Sequence, residues 1–259
     1  MLLKTSVKEK IKNGKLTIGS WISLAHPAIA EIMADIGFDW LVIDLEHSVI
    51  SLREAEELIR IINLRGVTPL VRLTSNDSNL IKRVMDAGAF GIVVPMVNNR
   101  EDAIQALSSM KYPPSGIRGV GLARAQGYGT KFKEYLDFSK KETILIVQIE
   151  HIDAVDNLEE ILQVEGVDGY IVGPYDLSCS LGEPGRFDSR SFLKAIARIE
   201  KVAKKLGVYG GTHIVEPDEF ELKKRIMDGQ KFIAYSVDFR VLDSTFRSGL
   251  RSVESYLEK

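Results

Sequence analysis

One cysteine in 259 residues excludes more than it offers. Cys179 cannot close a disulfide within the chain and cannot supply a zinc cluster, so a reducing cytoplasm is the expected compartment. Charge of one sign is also missing. Lys and Arg number 34 against 36 Asp and Glu, for a net charge of −2, which argues against a basic face built for nucleic acid. Long apolar runs are absent: the stretch from Gly91 to Val97 is among the longest and is far too short to span a bilayer. Residues 1–15 have neither the apolar core nor the small-residue cleavage site of an export signal. With no Arg and with Glu9 present they do not read as a mitochondrial transit peptide either. No Pro-, Gly- and Ser-rich linker divides the chain, and no G-x-G-x-x-G or G-x-x-x-x-G-K-[ST] loop follows an early apolar run. Length alone fits one large domain or two small ones. Apolar residues at 45% and charged residues at 27% are ordinary for a globular protein.

What the sequence does have is alternation. Eight short apolar runs, at 17–23, 39–45, 68–73, 90–97, 143–150, 168–174, 208–214 and 231–237, are rich in β-branched or aromatic residues and are each about a strand long. Between them lie amphipathic stripes. Leu52, Ala55, Leu58, Ile59 and Ile62 form one, opened by a Ser51/Glu54 capping box. Leu80, Ile81, Val84 and Met85 form a second, and Phe192, Ala195, Ile199, Val202 and Leu206 a third. Leu3, Val7 and Ile11, followed by Gly14, predict a short N-terminal helix within 1–14. Eight strands alternating with helices predict a parallel sheet, and eight is the number that closes. The expected architecture is α/β, a single (β/α)8 TIM barrel over 1–259. An open doubly wound sheet ranks second, because the nucleotide loop it needs is absent.

In such a barrel chemistry sits at the C-terminal ends of the strands. The second run ends in Asp44-Leu45-Glu46-His47, the third near Arg72, the fifth in Gln148-Ile149-Glu150, the sixth in Gly173-Pro174-Tyr175-Asp176, the seventh in His213 and the eighth in Asp238. A lone histidine at a strand end is more often a hydrogen-bonded structural residue, and a carboxylate after a strand is often the N-cap of the next helix. Their coincidence on neighbouring strands favours a site. Glu150 and Asp176 are hard oxygen ligands with no cysteine pattern near them, which suits Mg²⁺ or Mn²⁺. Arg72 cannot act as a base but can hold a carboxylate or a developing oxyanion. His47 is the natural proton-transfer group near pH 7, and Asp44, three residues earlier, is placed to orient it. No lysine lies inside a run or at its C-terminal end, since Lys231 opens the eighth, so a Schiff-base route is not offered. Metal, oxyanion-holding arginine and histidine base together describe enolate formation beside a carbonyl.

These segments resemble the HpcH/HpaI aldolase/citrate lyase family, and within it the metal-dependent (class II) pyruvate aldolases. That group acts on 4-hydroxy-2-oxoheptanedioate, 2-keto-3-deoxy-L-rhamnonate and 2-dehydro-3-deoxyglucarate. The likeness runs through Gly37-Phe38-Asp39-Trp40, Asp44 to His47, Val71-Arg72, Val94 to Val97, Tyr112 to Gly119, Gln148 to Glu150, Gly166 to Gly169 and Gly173 to Ser178. Each is weak alone, but in this order they are specific.

The resemblance implies reversible aldol cleavage of a 4-hydroxy-2-oxo acid, such as a 2-keto-3-deoxy sugar acid, to pyruvate and an aldehyde through a metal-stabilised enolate. It implies Glu150 and Asp176 as ligands of Mg²⁺, Mn²⁺ or Co²⁺, and Gln148 at the substrate. The backbone of Gly173, Pro174, Tyr175 and Asp176 would hold the pyruvate carboxylate. His47 would be the base, Arg72 would stabilise the enolate oxygen and Asp44 would support them. Asp86 would raise the basicity of His47 from a neighbouring subunit. A homohexamer with an exchanged C-terminal helix is implied as well; Val241, Phe246, Leu250, Val253 and Leu257 mark a stripe that would serve, or that simply packs at home. The glycine-rich loop from Arg118 to Tyr135 would form a cover or an ordinary flexible loop, with Arg124 meeting an anionic acceptor. His213 is no motif residue of the family, and would either shape the acceptor pocket or bond the backbone. Two alternatives stand beside this reading: a CoA-thioester carbon–carbon lyase of the same superfamily, for which no basic nucleotide pocket is evident, and a non-catalytic sugar-acid-binding barrel. No nucleic acid or membrane partner is expected.

Overall fold

The computed structural model describes residues 6–253 and 256. Eight strands form a closed, all-parallel barrel in sequence order: β1 (Thr17–Ile22), β2 (Trp40–Asp44), β3 (Thr68–Arg72), β4 (Gly91–Val94), β5 (Ile144–Ile149), β6 (Gly169–Val172), β7 (Gly210–Ile214) and β8 (Phe232–Val237). Each lies inside the apolar run that predicts it. The helices α1 (Val7–Lys12), α2 (Pro27–Asp35), α3 (Leu52–Leu64), α4 (Ser78–Ala87), α5 (Arg100–Met110), α6 (Phe132–Lys141), α7 (Ile152–Asp156), α8 (Leu158–Leu162), α9 (Pro174–Ser180), α10 (Arg190–Leu206), α11 (Glu219–Met227) and α12 (Asp238–Arg251) fill the connections. Leu3 and Leu257, counted in the terminal stripes, lie outside the described residues. Among the described residues no helix is long and apolar enough to cross a membrane.

The apolar patterns explain the layers. Strands buried along most of their length pack outward onto one helical shell, which includes Ala55, Leu58, Ile59 and Ile62 of α3. Burying a large aliphatic side chain is worth about 1.5–3 kcal/mol, so each stripe fastens its helix. The Ser51/Glu54 capping box forms as expected and fixes where α3 begins. The barrel interior holds a second cluster that includes Trp40, Val42, Leu70, Ile146 and Phe232. Trp40 stacks on Phe232 with centroids 4.1 Å apart. A Cβ at Gly19 would fall 2.2 Å from the Trp40 ring, so only glycine lets β1 pass it.

The N-terminal ends of the strands are closed by charge. Lys8 of α1 is buried, and its Nζ donates to Asp168 Oδ2 at 2.8 Å and to the Thr143 carbonyl at 2.5 Å, just before β6 and β5. That pins α1 under the barrel and leaves the opposite end open. At the C-terminus Asp238 is the one buried residue of α12. Its carboxylate accepts from the backbone N–H groups of Ser23 and Leu24, at 2.9 and 2.8 Å, latching α12 to the end of β1. Beyond it Phe239, Phe246, Leu250 and Val253 are exposed.

Candidate active site

Strand register assembles the mouth. Asp44 and Arg72, the last residues of β2 and β3, are paired neighbours. The Arg72 guanidinium grips the carboxylate at both edges, Nε to Oδ1 at 2.9 Å and Nη2 to Oδ2 at 2.7 Å. Asp44 Oδ1 also accepts the backbone N–H groups of Glu46 and His47, at 2.9 and 3.2 Å. Burial works to raise the Asp44 pKa; the Arg72 hydrogen bonds and charge, with the two backbone donors, outweigh it and hold the carboxyl below its usual range. Arg72 is locked from its third side by Glu46 Oε2, 3.2 Å from Nη1, and by the Trp21 ring, whose centroid lies 4.4 Å from Cζ. A guanidinium tied this way keeps its orientation when charge develops in front of it.

Sequence spacing suggested that Asp44 orients the His47 ring. The structure shows another arrangement: Arg72 occupies both Asp44 oxygens, so Asp44 holds only the His47 backbone. The imidazole stands out from the β2–α3 loop, its side chain 62% exposed, with Nε2 at 3.7 Å from Glu46 Oε2. Glu46 itself carries no role in the sequence reading, although it sits inside the Asp44–His47 motif. Burial pushes its pKa up to about 7 against the pull of Arg72, with Glu150, Asp44 and Asp176 adding repulsion.

Glu150 follows β5 directly and is buried. Its Oε1 accepts the Met96 N–H at 2.7 Å, and its Oε2 accepts the Gln148 side-chain amide. Met96 has φ of 53°, a left-handed conformation just past β4 that sequence alone did not reveal. Burial raises the Glu150 pKa, the Gln148 and Met96 donors oppose it, and the Asp176 charge adds to the rise. Gly173 makes the room: a Cβ there would lie 2.7 Å from Glu150 Oε2. The Gly173 N–H is bound to the Ile149 carbonyl at 3.2 Å, and Pro174 has none. The first amides free of intrahelical partners at the start of α9 are therefore those of Tyr175 and Asp176. Within the expected Gly173 to Asp176 segment, these two amides are the ones left to meet a carboxylate.

Gln148, Arg72, His47, Gly173, Tyr175 and Asp176 line one cavity of about 330 Å³. A smaller recess of about 140 Å³ next to it is lined by Asp44 as well as Arg72 and His47. Trp21, His213 and Val215 line both. A further cavity, about 510 Å³, lies between β6, β7, α10 and α11, and neither Arg72 nor Asp176 lines it.

Two expected residues stand apart. Asp86 on α4 accepts from Arg118 Nη2 at 2.5 Å and from Gln126 Nε2 at 3.1 Å, tying the loop after α5 to α4. Arg124 of that loop donates to the Ala87 carbonyl and to Asn63 Oδ1, at the ends of α4 and α3. Neither lines the mouth within one chain. Cys179 is exposed on α9.

A divalent cation fits this donor set. Glu150 is buried and its pKa is raised, so a cation at its oxygens would be favoured as a proton is, the exposed carboxylate of Asp176 offers a second oxygen donor at the same mouth, and the Gly173 gap keeps the Glu150 oxygens uncrowded. Among the described residues no group of three or more His, Cys, Asp or Glu is arranged to hold a metal. Two protein carboxylates leave the remaining positions to water and substrate oxygens, the usual arrangement for Mg²⁺.

Residues 17–244 match the model of a protein family described as HpcH/HpaI aldolase/citrate lyase. A hydroxypyruvate/pyruvate aldolase of Sagittula stellata is 39% identical over 238 residues, covering 92% of this chain and 93% of its own. The 2-keto-3-deoxy-L-rhamnonate aldolase of Escherichia coli K12 is 36% identical over 239 residues, covering 92% and 88%. Among solved structures, an HpcH/HpaI aldolase/citrate lyase family protein from Burkholderia cenocepacia superposes with a TM-score of 0.89 at 31% identity, covering 95% of this chain and 98% of its own.

Proposed function

Because the chain belongs to the HpcH/HpaI aldolase/citrate lyase family, we propose that it is a carbon–carbon lyase catalysing reversible aldol cleavage of a 4-hydroxy-2-oxo acid to pyruvate and an aldehyde. The observation that carries this reading is the meeting of three elements on one cavity: an arginine locked by Asp44, an exposed histidine and a carboxylate of α9 beside buried Glu150. A divalent cation held by Glu150 and Asp176 would supply Lewis-acid polarisation of the 2-oxo group. Mg²⁺, Mn²⁺ and Co²⁺ are the candidates.

The protein's own groups do the rest. The amides of Tyr175 and Asp176 receive the substrate carboxylate at the start of α9. Gln148 holds Glu150 in place through its amide, and its remaining surface lines the substrate cavity. His47 takes the proton of the 4-hydroxyl, and its exposure at the rim suits exchange of that proton with water. As the C3–C4 bond breaks, its electron pair moves into the 2-oxo group, and Arg72 faces the oxygen that gains charge. The interaction strengthens along the reaction, so it lowers the barrier. Proton delivery to C3 completes pyruvate. Among the described residues of one chain, Glu46 is the only carboxylate paired with His47. A homohexamer, the assembly implied for the family, would bring Asp86 of a second copy toward it and give the exposed face of α12 a surface to cover. A cytoplasmic location accords with a single, exposed thiol.

The test is pyruvate release from 4-hydroxy-2-oxo acids with and without EDTA, run beside a CoA-thioester assay. Release that stops on chelation and returns with Mg²⁺ or Mn²⁺ supports the reading. Turnover of CoA esters alone would assign the barrel to the lyase branch, and no turnover of either would make it a binding protein.

A further inference from the structure

His213 is an ionisable residue of the mouth that the mechanism leaves unused. It lines all three cavities around the site. Its surroundings fix its chemistry. β8 advances three residues, Ala234 to Val237, while its partner β1 advances two, Gly19 to Trp21, so β8 carries a bulge there. Ser236 sits in the bulge with φ of 56°, a left-handed conformation uncommon outside glycine. The bulge presents the Ser236 carbonyl to two groups, Ser20 Oγ at 3.1 Å and His213 Nε2 at 3.1 Å. A carbonyl only accepts, so Nε2 carries the ring proton and Nδ1 is left with its lone pair. Nδ1 makes no hydrogen bond and is not among the buried unpartnered atoms of the described residues, so it opens to the cavity. Burial lowers the pKa to about 4 despite the Ser236 bond, with Arg72 adding to the fall and Asp44 opposing it, so the ring stays a neutral acceptor near pH 7.

Position adds the second half. Trp21 separates His213 from Arg72: the indole lies 4.4 Å from the guanidinium and 5.3 Å, centroid to centroid, from the imidazole. The acceptor thus stands one aromatic ring from the group that meets the 2-oxo oxygen. A fixed neutral acceptor selects for a group that can donate. A hydroxyl can; a methyl, a carbonyl or a carboxylate cannot.

We propose that His213 is a specificity-determining residue that accepts a hydrogen bond from a hydroxyl on carbon 3 of the 2-oxo acid, so that the site prefers 3-hydroxy-2-oxo acids over unsubstituted or alkylated ones. This rests on the aldolase reading and concerns only which keto acid the mouth prefers.

The experiment measures kcat/KM for addition of three keto acids to one aldehyde with Mg²⁺ present. They are hydroxypyruvate, pyruvate and 2-oxobutanoate, the last carrying a methyl where hydroxypyruvate carries its hydroxyl. In the unaltered enzyme hydroxypyruvate is expected to exceed 2-oxobutanoate by at least about tenfold, the scale of one unpaired buried polar group. His213→Leu is expected to reduce that ratio about tenfold or to invert it. His213→Asn, whose amide oxygen falls close to the place of Nδ1, is expected to restore most of it. Equal losses for all three keto acids would show a structural role only and overturn the proposal. An unaltered enzyme without preference would overturn it even if the leucine variant did not fold. A ratio that moved only between hydroxylated and plain aldehydes, with pyruvate as partner, would overturn the placement on carbon 3. Absence of metal-dependent cleavage or addition with every keto acid would instead refute the aldolase assignment beneath it.

Discussion

Replacing Arg72 by lysine keeps the charge and removes the geometry. The native guanidinium makes two parallel bonds to Asp44, at 2.9 and 2.7 Å, meets Glu46 at 3.2 Å and stacks on Trp21 at 4.4 Å. A lysine ammonium can reach one Asp44 oxygen but cannot hold both, and it has no flat face for the indole. Asp44 would keep its backbone donors and one charge partner. Destabilisation should therefore stay well below the about 3–5 kcal/mol expected when a buried pair loses one member outright. Catalysis should suffer more. Loss of an oriented oxyanion donor typically costs on the order of 10² to 10³ in kcat, about 2.7–4 kcal/mol. Arg72→Lys is expected to show that fall in kcat for pyruvate release, with a smaller change in KM and a melting temperature a few degrees below wild type. Pyruvate can be followed continuously by coupled reduction to lactate, with thermal melts of the same preparations. Turnover within about threefold of wild type would refute the view that the fork, rather than positive charge, does the catalytic work.

Gly173→Ala places a methyl 2.7 Å from Glu150 Oε2, and titration of activity with Mg²⁺ should show an apparent affinity lower by about 10- to 100-fold, as when a ligand is misaligned. A metal requirement unchanged in that variant would remove Gly173 from the metal site. The raised pKa values of Glu46, to about 7, and of Glu150 mean that the folded chain binds protons the unfolded chain has released. Without divalent cations, stability should therefore rise as pH falls from about 7 toward the ordinary glutamate value of 4.5, and Glu46→Gln should flatten part of that slope in melting experiments. A slope identical in Glu46→Gln would contradict the assignment. At the closed end of the barrel, Lys8→Met strands Asp168 in a buried site, and denaturant unfolding should register a loss of about 3–5 kcal/mol with little change in KM.

The strand count, the barrel and the helix stripes were legible because each buried strand is a short apolar run and each helix keeps a 3.6-residue apolar period. The gathering of Asp44, Arg72, Gln148 and Glu150 at the C-terminal ends of β2, β3 and β5 was legible because polar residues ending otherwise apolar strands have few reasons to be there. The pairing of Asp44 with Arg72 rather than with the His47 ring was not, since it depends on which neighbour across β2 and β3 claims the carboxylate. The Met96 amide was hidden for another reason: a backbone donor has no side-chain signature, and only the left-handed turn after β4 aims it at Glu150. The space that Gly173 leaves beside Glu150 Oε2 was hidden because it depends on how closely β5 and β6 approach. Glu46 was passed over because a surface-like glutamate and a half-buried one look alike until the fold sets it against Arg72 and near Asp44.

Charge balance at the mouth supports the proposed need for a cation from solution. Asp44 and Arg72 cancel one another. Glu46, Glu150 and Asp176 remain; burial raises the pKa values of Glu46 and Glu150, and the Asp176 charge adds to the rise in both. Among the described residues lining the two mouth cavities Arg72 is the only permanent cation. A 2-oxo acid entering with its own carboxylate would meet an excess of negative charge in a partly dry pocket, where like charges repel more strongly than in water. Among the described residues lining the mouth no other side chain supplies the missing positive charge, so on the proposed reading a divalent ion would be needed for the substrate to bind, before any bond is polarised. Binding of a non-reacting keto-acid analogue should consequently weaken by at least about tenfold on chelation, even though no chemistry follows. Calorimetric affinity for oxamate that is the same with Mg²⁺ and with EDTA would show that the carboxylates are neutralised some other way, and the account of the mouth given above would fail with it.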